Sequence, residues 1–412
     1  MSLMTYGEVR PWARAIKRAV SSRNMPPWPA DRRHGRFKND PSLPDAEIQL
    51  ISRWVDAGAP EGDPAATPPR PSFAQGWRGG QPDLVLEMPV DYPVPADGQV
   101  DILHFWVPVP FKEDRYLRAL ELRPGNPAVV HHSRVDVVDL PPGLKIVDGR
   151  LVKLDGSPDD GLGPDGRPRS VFDGQDNNYH LISFVPGRGF ERHPAGTAKR
   201  LEGGKYVRFE LHYNPSGKAT TDRSMLGLWF AKEPVTSEVF TRSVGQPLSR
   251  SATDGGILLA EGKELKDEVG PDGRRRRGRL PNIPPFAANW QATGITKITE
   301  PITLLALSPH MHLRGKDMKY IVTWPDGRQE TLLSVPAYDY NWQLNFELET
   351  PVFLPPGATL TAIAHYDNSA ANRYNPAPHK EVYWSDQSWD EMFIPYVEFT
   401  KGDPGGMSQR RE

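Results

Sequence analysis

Proline and glycine divide this chain into short segments: 44 prolines and 37 glycines are spread over 412 residues. Between them lie apolar runs rich in β-branched side chains, which are typical of short antiparallel strands. Eight such runs occupy residues 84–88, 100–107, 115–122, 129–138, 181–185, 207–213, 225–231 and 235–241. A second β block runs from about residue 284 to 399. The pattern predicts a mainly β fold of sandwich or jelly-roll type rather than βαβ units.

The first 60 residues have a different pattern. Pro11 suits the first turn of a helix, and Trp12, Ile16 and Val20 form an apolar stripe behind it. A second helix is predicted to end before Gly58. We therefore expect a helical segment over 1–62, a Pro-rich linker over 63–80, a first β domain over 81–243, a connecting loop over 244–283, a second β domain over 284–400 and a tail over 401–412.

Charge and residue content exclude several classes of function. The formal net charge of −2 and the pI near 6.6 give no reason to expect a nucleic-acid partner. No apolar stretch approaches the roughly 18 residues of a membrane span, and the N-terminal residues lack the features of a signal peptide. With no cysteine, a metal must be bound by histidine, methionine, carboxylate or backbone groups.

Two histidines follow the apolar run 302–307. Because His310 and His312 are two residues apart, a strand would direct both side chains to the same face. They are either metal ligands or structural histidines. Imidazole suits zinc, copper, iron and nickel. Candidates for a third ligand are His365, a carboxylate such as Asp386 or Asp390, and Met392, whose thioether favours Cu(I).

A second histidine group belongs to the first β block. His131 and His132 are adjacent, so both can bind one metal only if the strand bends or ends there. His212 lies in the alternating run 207–213 and shares a face with Glu210. Three histidines in one block and a pair in the other predict two metal sites.

In order along residues 80–400, the chain has a His-His pair, a strand His-Tyr, a His-x-His followed by glycine, and Asp390-Glu391-Met392. This order resembles the copper type II, ascorbate-dependent monooxygenases, which include peptidylglycine α-hydroxylating and dopamine β-monooxygenases. The resemblance implies two tandem eight-stranded antiparallel jelly-roll sandwiches and two copper ions per chain. By the same resemblance, one copper stores and delivers an electron and is held by His131, His132 and His212. The other, where O2 binds and a C–H bond is attacked, is held by His310, His312 and Met392, with Tyr396 as a further catalytic residue.

The chain departs from the family at some positions. Ser308 stands where the peptidylglycine enzymes have an arginine for the peptide carboxylate, and Ile394 stands where they have an asparagine. A glycine-extended peptide is therefore not the expected substrate. Met25-Pro26-Pro27-Trp28 resembles the C-terminal part of a bacterial cytochrome c domain, but no Cys-x-x-Cys-His attachment site precedes it. We expect a docked helical extension and no haem in this chain.

The expected function is that of a dicopper monooxygenase, which hydroxylates a C–H bond of a small molecule with O2 and two electrons. The electrons would come from ascorbate or a cytochrome, and the resemblance implies a periplasmic or secreted protein. Two alternatives stay open. One is a zinc hydrolase that uses His310, His312 and a carboxylate such as Asp386. The other is a non-catalytic copper-binding redox protein.

Overall fold

The computed structural model describes residues 3–67, 69, 76–159, 179–185, 188–246, 256–265, 268–269, 275–276, 283–385 and 387–402. The predictions of a mainly β fold and of a short N-terminal helical segment are confirmed. The helices are α1 (Tyr6–Val9), α2 (Ala13–Ser21) and α3 (Asp45–Asp56), with 3₁₀ turns at Arg10–Trp12 and Pro64–Ala66. The first helix begins at Tyr6 rather than at Pro11 because Thr5 and Glu8 form a capping box.

The strands fall into two halves, and each of the eight predicted runs of the first block coincides with a strand to within a few residues. The first half contains β1 (Leu84–Glu87), β2 (Tyr92–Val94), β3 (Leu103–Pro108), β4 (Arg115–Arg123), β5 (Val130–Val138), β6 (Leu144–Val147), β7 (Arg150–Lys153), β8 (Tyr179–Phe184), β9 (Phe190–Arg192), β10 (Thr197–Leu201), β11 (Tyr206–Tyr213), β12 (Thr220–Asp222) and β13 (Met225–Phe230). The second half contains β14 (Ser237–Ser243), β15 (Gly256–Ala260), β16 (Lys263–Glu264), β17 (Glu268–Val269), β18 (Arg275–Arg276), β19 (Trp290–Lys297), β20 (Ile302–His310), β21 (Gly315–Thr323), β22 (Gln329–Val335), β23 (Phe346–Leu354), β24 (Thr359–Tyr366) and β25 (Ile394–Lys401).

One sheet continues from the first half into the second. In the described part of the chain it has nine strands, in the order β1-β13-β4-β10-β14-β25-β20-β23, with β9 also paired to β4. The strands β10 and β14 join the halves through a parallel pairing of only two residue pairs. Each half also has a second sheet of its own. Its strand order is β3-β11-β5-β8 in the first half and β16-β15-β19-β24-β21-β22 in the second. These counts do not confirm the expected eight-stranded jelly rolls, which stay a prediction.

Each half has its own apolar core between its two sheets. Strand β11 illustrates how the alternation of side chains separates the core from the site. Phe209, Leu211 and Tyr213 are buried in the first core. Glu210 and His212 alternate with them and therefore lie on the opposite face of the strand, as the sequence predicted.

Residues 244–283, predicted to be a connecting loop, contain β15. This strand is hydrogen-bonded to β19 over five residue pairs and so belongs to the second core sheet. The apolar run Ile257-Leu258-Leu259 is short and lies between polar segments, so the sequence pattern around it resembles a loop. Among the described residues, no helix combines the length and the apolar character that crossing a membrane would need.

The segment after α2 closes one edge of the nine-stranded sheet. Lys38 N donates to Glu347 O and Glu349 N donates to Arg36 O, each at 2.8 Å, so this segment pairs with the outer edge of β23. The ring of Trp28 packs 4.8 Å from that of Phe346. Such a covering strand removes exposed backbone donors and acceptors from a sheet edge. The N-terminal segment is thus docked on the second half.

Candidate metal site

A β-bulge brings the two adjacent histidines of the first half to the same side. In the ladder between β5 and β11, His132 lies opposite His212 and Val130 lies opposite Tyr213. His131 is therefore the extra residue of the bulge. This is the local bend that two neighbouring histidines need in order to face one site.

The three histidines of this first group converge through one type of nitrogen. The Nδ1 atom of His132 lies 3.1 Å from Nδ1 of His131 and 3.3 Å from Nδ1 of His212. One nitrogen from each ring lies within 4.8 Å of the other two, and all three side chains are buried or half-buried. Imidazole nitrogens that face each other in this way form a donor set suited to a transition metal.

Hydrogen bonds from the second half orient His131. The Nδ2 atom of Asn341 donates to Asp339 Oδ1 at 2.9 Å, which directs Asn341 Oδ1 toward His131 Nε2 at 3.3 Å. Because Oδ1 can only accept, His131 carries its proton on Nε2 and leaves the Nδ1 lone pair toward the other histidines. Metal-binding histidines are commonly oriented in this way by a partner on their second nitrogen.

The second group is arranged differently from the prediction. Strand β20 ends at His310, so strand alternation does not bring His310 and His312 together. Their rings nevertheless lie 5.3 Å apart and are perpendicular. The turn between them is held by Tyr338, whose hydroxyl accepts from Met311 N at 3.1 Å and donates to Met311 O at 2.8 Å.

One buried carboxylate joins the two segments of this second group. Glu391 accepts from the backbone N–H groups of His312 at 2.8 Å, Arg314 at 2.7 Å and Met392 at 3.0 Å. Burial raises the pKa of Glu391 to about 7, although these backbone donors act in the opposite direction. The carboxylate therefore fixes His312 relative to Met392.

Gln343 determines which nitrogen of His310 is available. Its Nε2 donates to the Tyr340 carbonyl at 3.1 Å, so its Oε1 is the atom that faces His310 Nδ1 at 2.6 Å. His310 thus carries its proton on Nδ1, and its Nε2 keeps the lone pair. The second group therefore differs from the first, in which the Nδ1 atoms converge.

Both groups open onto the same space between the halves. A cavity of about 50 Å³ is lined by His132 from the first group and by His310, His312 and Met392 from the second. The Met392 side chain is 2% exposed and Tyr396 lines the same cavity. The structure therefore brings residues of both predicted sites to one cavity.

A buried ion-pair network forms the wall of this cavity on the side of the first half. Arg134 makes a forked contact with Asp136, and Arg208 donates to the same carboxylate at 2.7 Å. Glu210 lies 3.7 Å from Arg208. The Nη1 atom of Arg134 also donates to the Tyr396 hydroxyl at 3.1 Å. The two arginines and the two carboxylates compensate each other in charge.

Burial keeps the five histidines neutral, which is the form that binds metals. It lowers the pKa of His131, and it lowers that of His212 and of His310 to about 4. Burial holds the pKa of His132 and of His312 well below the ordinary value, and neighbouring imidazoles add to the effect. All five lone pairs are therefore available at neutral pH.

The other predicted third ligands have different surroundings. His365 Nδ1 lies 2.7 Å from Asp317, and the Asp390 carboxylate accepts from Ser385 at 2.6 Å. Asp386 lies outside the described residues. Ser308 is hydrogen-bonded to Asn345, and Ile394 begins β25.

Sequence reasoning missed the loop 338–343, Tyr-Asp-Tyr-Asn-Trp-Gln, between β22 and β23. Its Tyr338, Tyr340, Asn341 and Gln343 contact the histidines of both groups or the turn between them. The density of aromatic and amide side chains in a short loop was the signal that could have identified it.

Comparisons with known proteins do not show a family for this chain. No family model and no curated protein matches the chain. Among solved structures, a Paenibacillus xanthan lyase is 9% identical with a TM-score of 0.19, over 79% of this chain and 26% of that one. An allantoicase is 7% identical with a TM-score of 0.18, over 67% and 81%. The oxalate decarboxylase of Bacillus subtilis is 9% identical with a TM-score of 0.14, over 92% and 88%. The chain thus spans about a quarter of the length of the lyase. TM-scores as low as these three carry no argument about function.

Proposed function

We propose that this chain is a copper-dependent monooxygenase that hydroxylates a C–H bond with O2 and two electrons. The observation that supports it is a pair of unlike donor sets: three converging imidazoles, of which His132 lines the cavity, and two imidazoles that line the same cavity together with a thioether. Thioether ligands select Cu(I), whereas zinc is normally bound by nitrogen, oxygen or thiolate. The donor chemistry of the second site therefore fits copper better than zinc, whereas three imidazoles suit either metal.

Copper, when bound, would supply electron storage at His131, His132 and His212, and O2 activation at His310, His312 and Met392. The protein supplies neutral ligands in fixed orientations. Asn341 holds the His131 ring, and Gln343 holds the His310 ring. In each group a hydrogen bond already selects the ligand nitrogen of one histidine, His131 in the first and His310 in the second.

The same cavity would bind the substrate. Arg134 orients the Tyr396 hydroxyl at 3.1 Å, next to His310, whose ring centre is 6.4 Å from that of Tyr396. A group bound there is held between the second metal site and a fixed hydroxyl, which positions it for reaction. The substrate is proposed to be a small molecule and the reductant to be ascorbate or a cytochrome. The protein is proposed to be periplasmic or secreted.

Copper content tests the proposal directly. After reconstitution, the wild-type chain should hold roughly two copper ions, and a Met392→Ala, His310→Ala double variant and a His132→Ala variant should each hold about one. Mass spectrometry of the metal content provides the measurement. The matched control is His365→Ala, which removes a histidine outside both groups and should keep two. One tightly held zinc ion that is lost in the double variant but kept in His132→Ala would overturn the copper proposal and favour the hydrolase.

Oxygen consumption distinguishes the enzyme from its alternatives. The copper-loaded wild type should consume O2 with ascorbate and transfer one oxygen atom to a C–H donor, whereas Met392→Ala should lose this transfer. A hydrolase would be indifferent to Met392→Ala. A copper-binding redox protein would oxidise ascorbate without transferring oxygen to any donor.

A further inference from the structure

The ring of Tyr340 lies between the two histidine groups. Its centre is 5.1 Å from that of His131, in a stacked arrangement, and 5.9 Å from that of His132. On the side of the second group it is 6.1 Å from His312, nearly perpendicular. One side chain is therefore in ring contact with histidines of both predicted metal sites.

Tyr340 is held in this place by the second half. Its carbonyl accepts from Gln343, which also fixes His310. Two residues earlier in the loop, the Tyr338 hydroxyl makes two hydrogen bonds to the backbone of Met311. The position of Tyr340 is thus tied to the segment that carries His310 and His312.

The hydroxyl of Tyr340 extends into the first half. It lies 3.1 Å from His212 Nδ1 and 2.7 Å from Ser388 Oγ. The same Nδ1 atom faces His132 at 3.3 Å and is the ligand nitrogen of the proposed first site. A hydroxyl that is hydrogen-bonded to this nitrogen is on the side of the ring where a metal would bind.

We propose that Tyr340, a residue of the second half, is a fourth residue of the first metal site. We also propose that its ring sets the distance between the two metal sites. Both parts rest on the proposed function. Its hydroxyl places an oxygen beside the three Nδ1 atoms. Its ring fills the space between His131 and His312. Tyr340 is in this sense a positioning residue for both sites.

Electron paramagnetic resonance of Cu(II)-loaded protein tests both parts. For the ring, pulsed dipolar measurements should give one defined separation between the two ions in the wild type and in Tyr340→Phe. In Tyr340→Leu the separation should lengthen and its distribution broaden. For the hydroxyl, the first-site spectrum is recorded in the Met392→Ala, His310→Ala chain, which retains only that site. Adding Tyr340→Phe there should shift the hyperfine splitting, because an oxygen beside the ion is lost.

The matched control is Tyr374→Leu, which removes an exposed tyrosine and should change neither signal. An unchanged separation in Tyr340→Leu, or an unchanged first-site spectrum in Tyr340→Phe, would overturn the proposal. Copper is quantified in every sample. A wild-type chain that holds fewer than two ions refutes the proposed function, whereas two ions with unchanged signals refute only the role of Tyr340. The phenylalanine variant keeps the test valid if the leucine variant does not fold.

Discussion

Replacing Glu391 with glutamine should weaken metal binding at the second site by roughly 10- to 100-fold. The carboxylate accepts three backbone hydrogen bonds, from His312, Arg314 and Met392. An amide has one accepting oxygen and one donating nitrogen, so at least one of these buried N–H groups would face another donor. The two segments that carry His312 and Met392 would then no longer be held together.

The same substitution should lower the free energy of unfolding by about 1–3 kcal/mol, which is the usual cost of an unsatisfied buried polar group. Copper titration measures the first effect and urea unfolding the second. The first site, in the other half of the chain, should keep its affinity and provides an internal reference. The matched control is Asp390→Asn, one residue earlier, because among the described residues that carboxylate accepts from Ser385. If Glu391→Gln kept the full metal affinity of the second site, Glu391 would not be needed to hold the segments of His312 and Met392 together.

Replacing Asp136 with asparagine should lower the free energy of unfolding by about 3–5 kcal/mol, the loss expected when one partner of a buried ion pair is removed. Asp136 is 1% exposed and pairs with both Arg134 and Arg208. Without its charge, two buried guanidinium groups would lose the carboxylate that they share. Urea unfolding at pH 7 measures the difference. Asp139→Asn is the control, because its ion pair with Lys205 is partly solvent-exposed and should contribute less than the buried network.

This contribution should depend on pH in a defined direction. Burial alone would raise the pKa of Asp136, but Arg134, with His180 and Arg208, lowers it below the ordinary value of 3.8. A carboxyl whose folded pKa is depressed stabilises the protein above its unfolded pKa and loses that contribution as the pH falls below it. The difference between wild type and Asp136→Asn should therefore be constant from pH 7 to about 5 and shrink below about pH 4. A difference that grows on acidification would contradict the assignment.

The β architecture could be predicted because it depends on local pattern. Proline and glycine separate the runs, and alternation along β11 already assigns Phe209 to the core and His212 to the site. His131 and His132 could be predicted to need a bend, but only the pairing with β11 reveals that the bend is a bulge. The local sequence identifies the adjacent histidines, whereas the pairing register that makes one of them a bulge depends on the partner strand β11.

Other features depend on contacts far apart in the chain. Asn341 and His131 are separated by 210 residues, and Tyr340 and His212 by 128. No periodicity in one segment encodes such a pairing. The shared sheet was unpredictable for the same reason, because β14 follows the first half in sequence and yet pairs with β25 over five residues. Strand alternation does not bring His310 and His312 together, because β20 ends at His310 and the turn after it is held by Tyr338 and Glu391.

The narrow junction between β10 and β14 has a mechanical consequence. The neighbouring pairings in the sheet are longer, with three residue pairs between β10 and β4 and five between β14 and β25, whereas the junction has two. The resistance of a sheet to bending between two strands rises with the number of hydrogen bonds that join them. The boundary between β10 and β14 is therefore the most easily bent part of this sheet. Rotation of one half against the other would concentrate there as a hinge. Such a rotation would open or close the gap that Tyr340 spans, and it would leave the three-histidine cluster intact within its own half.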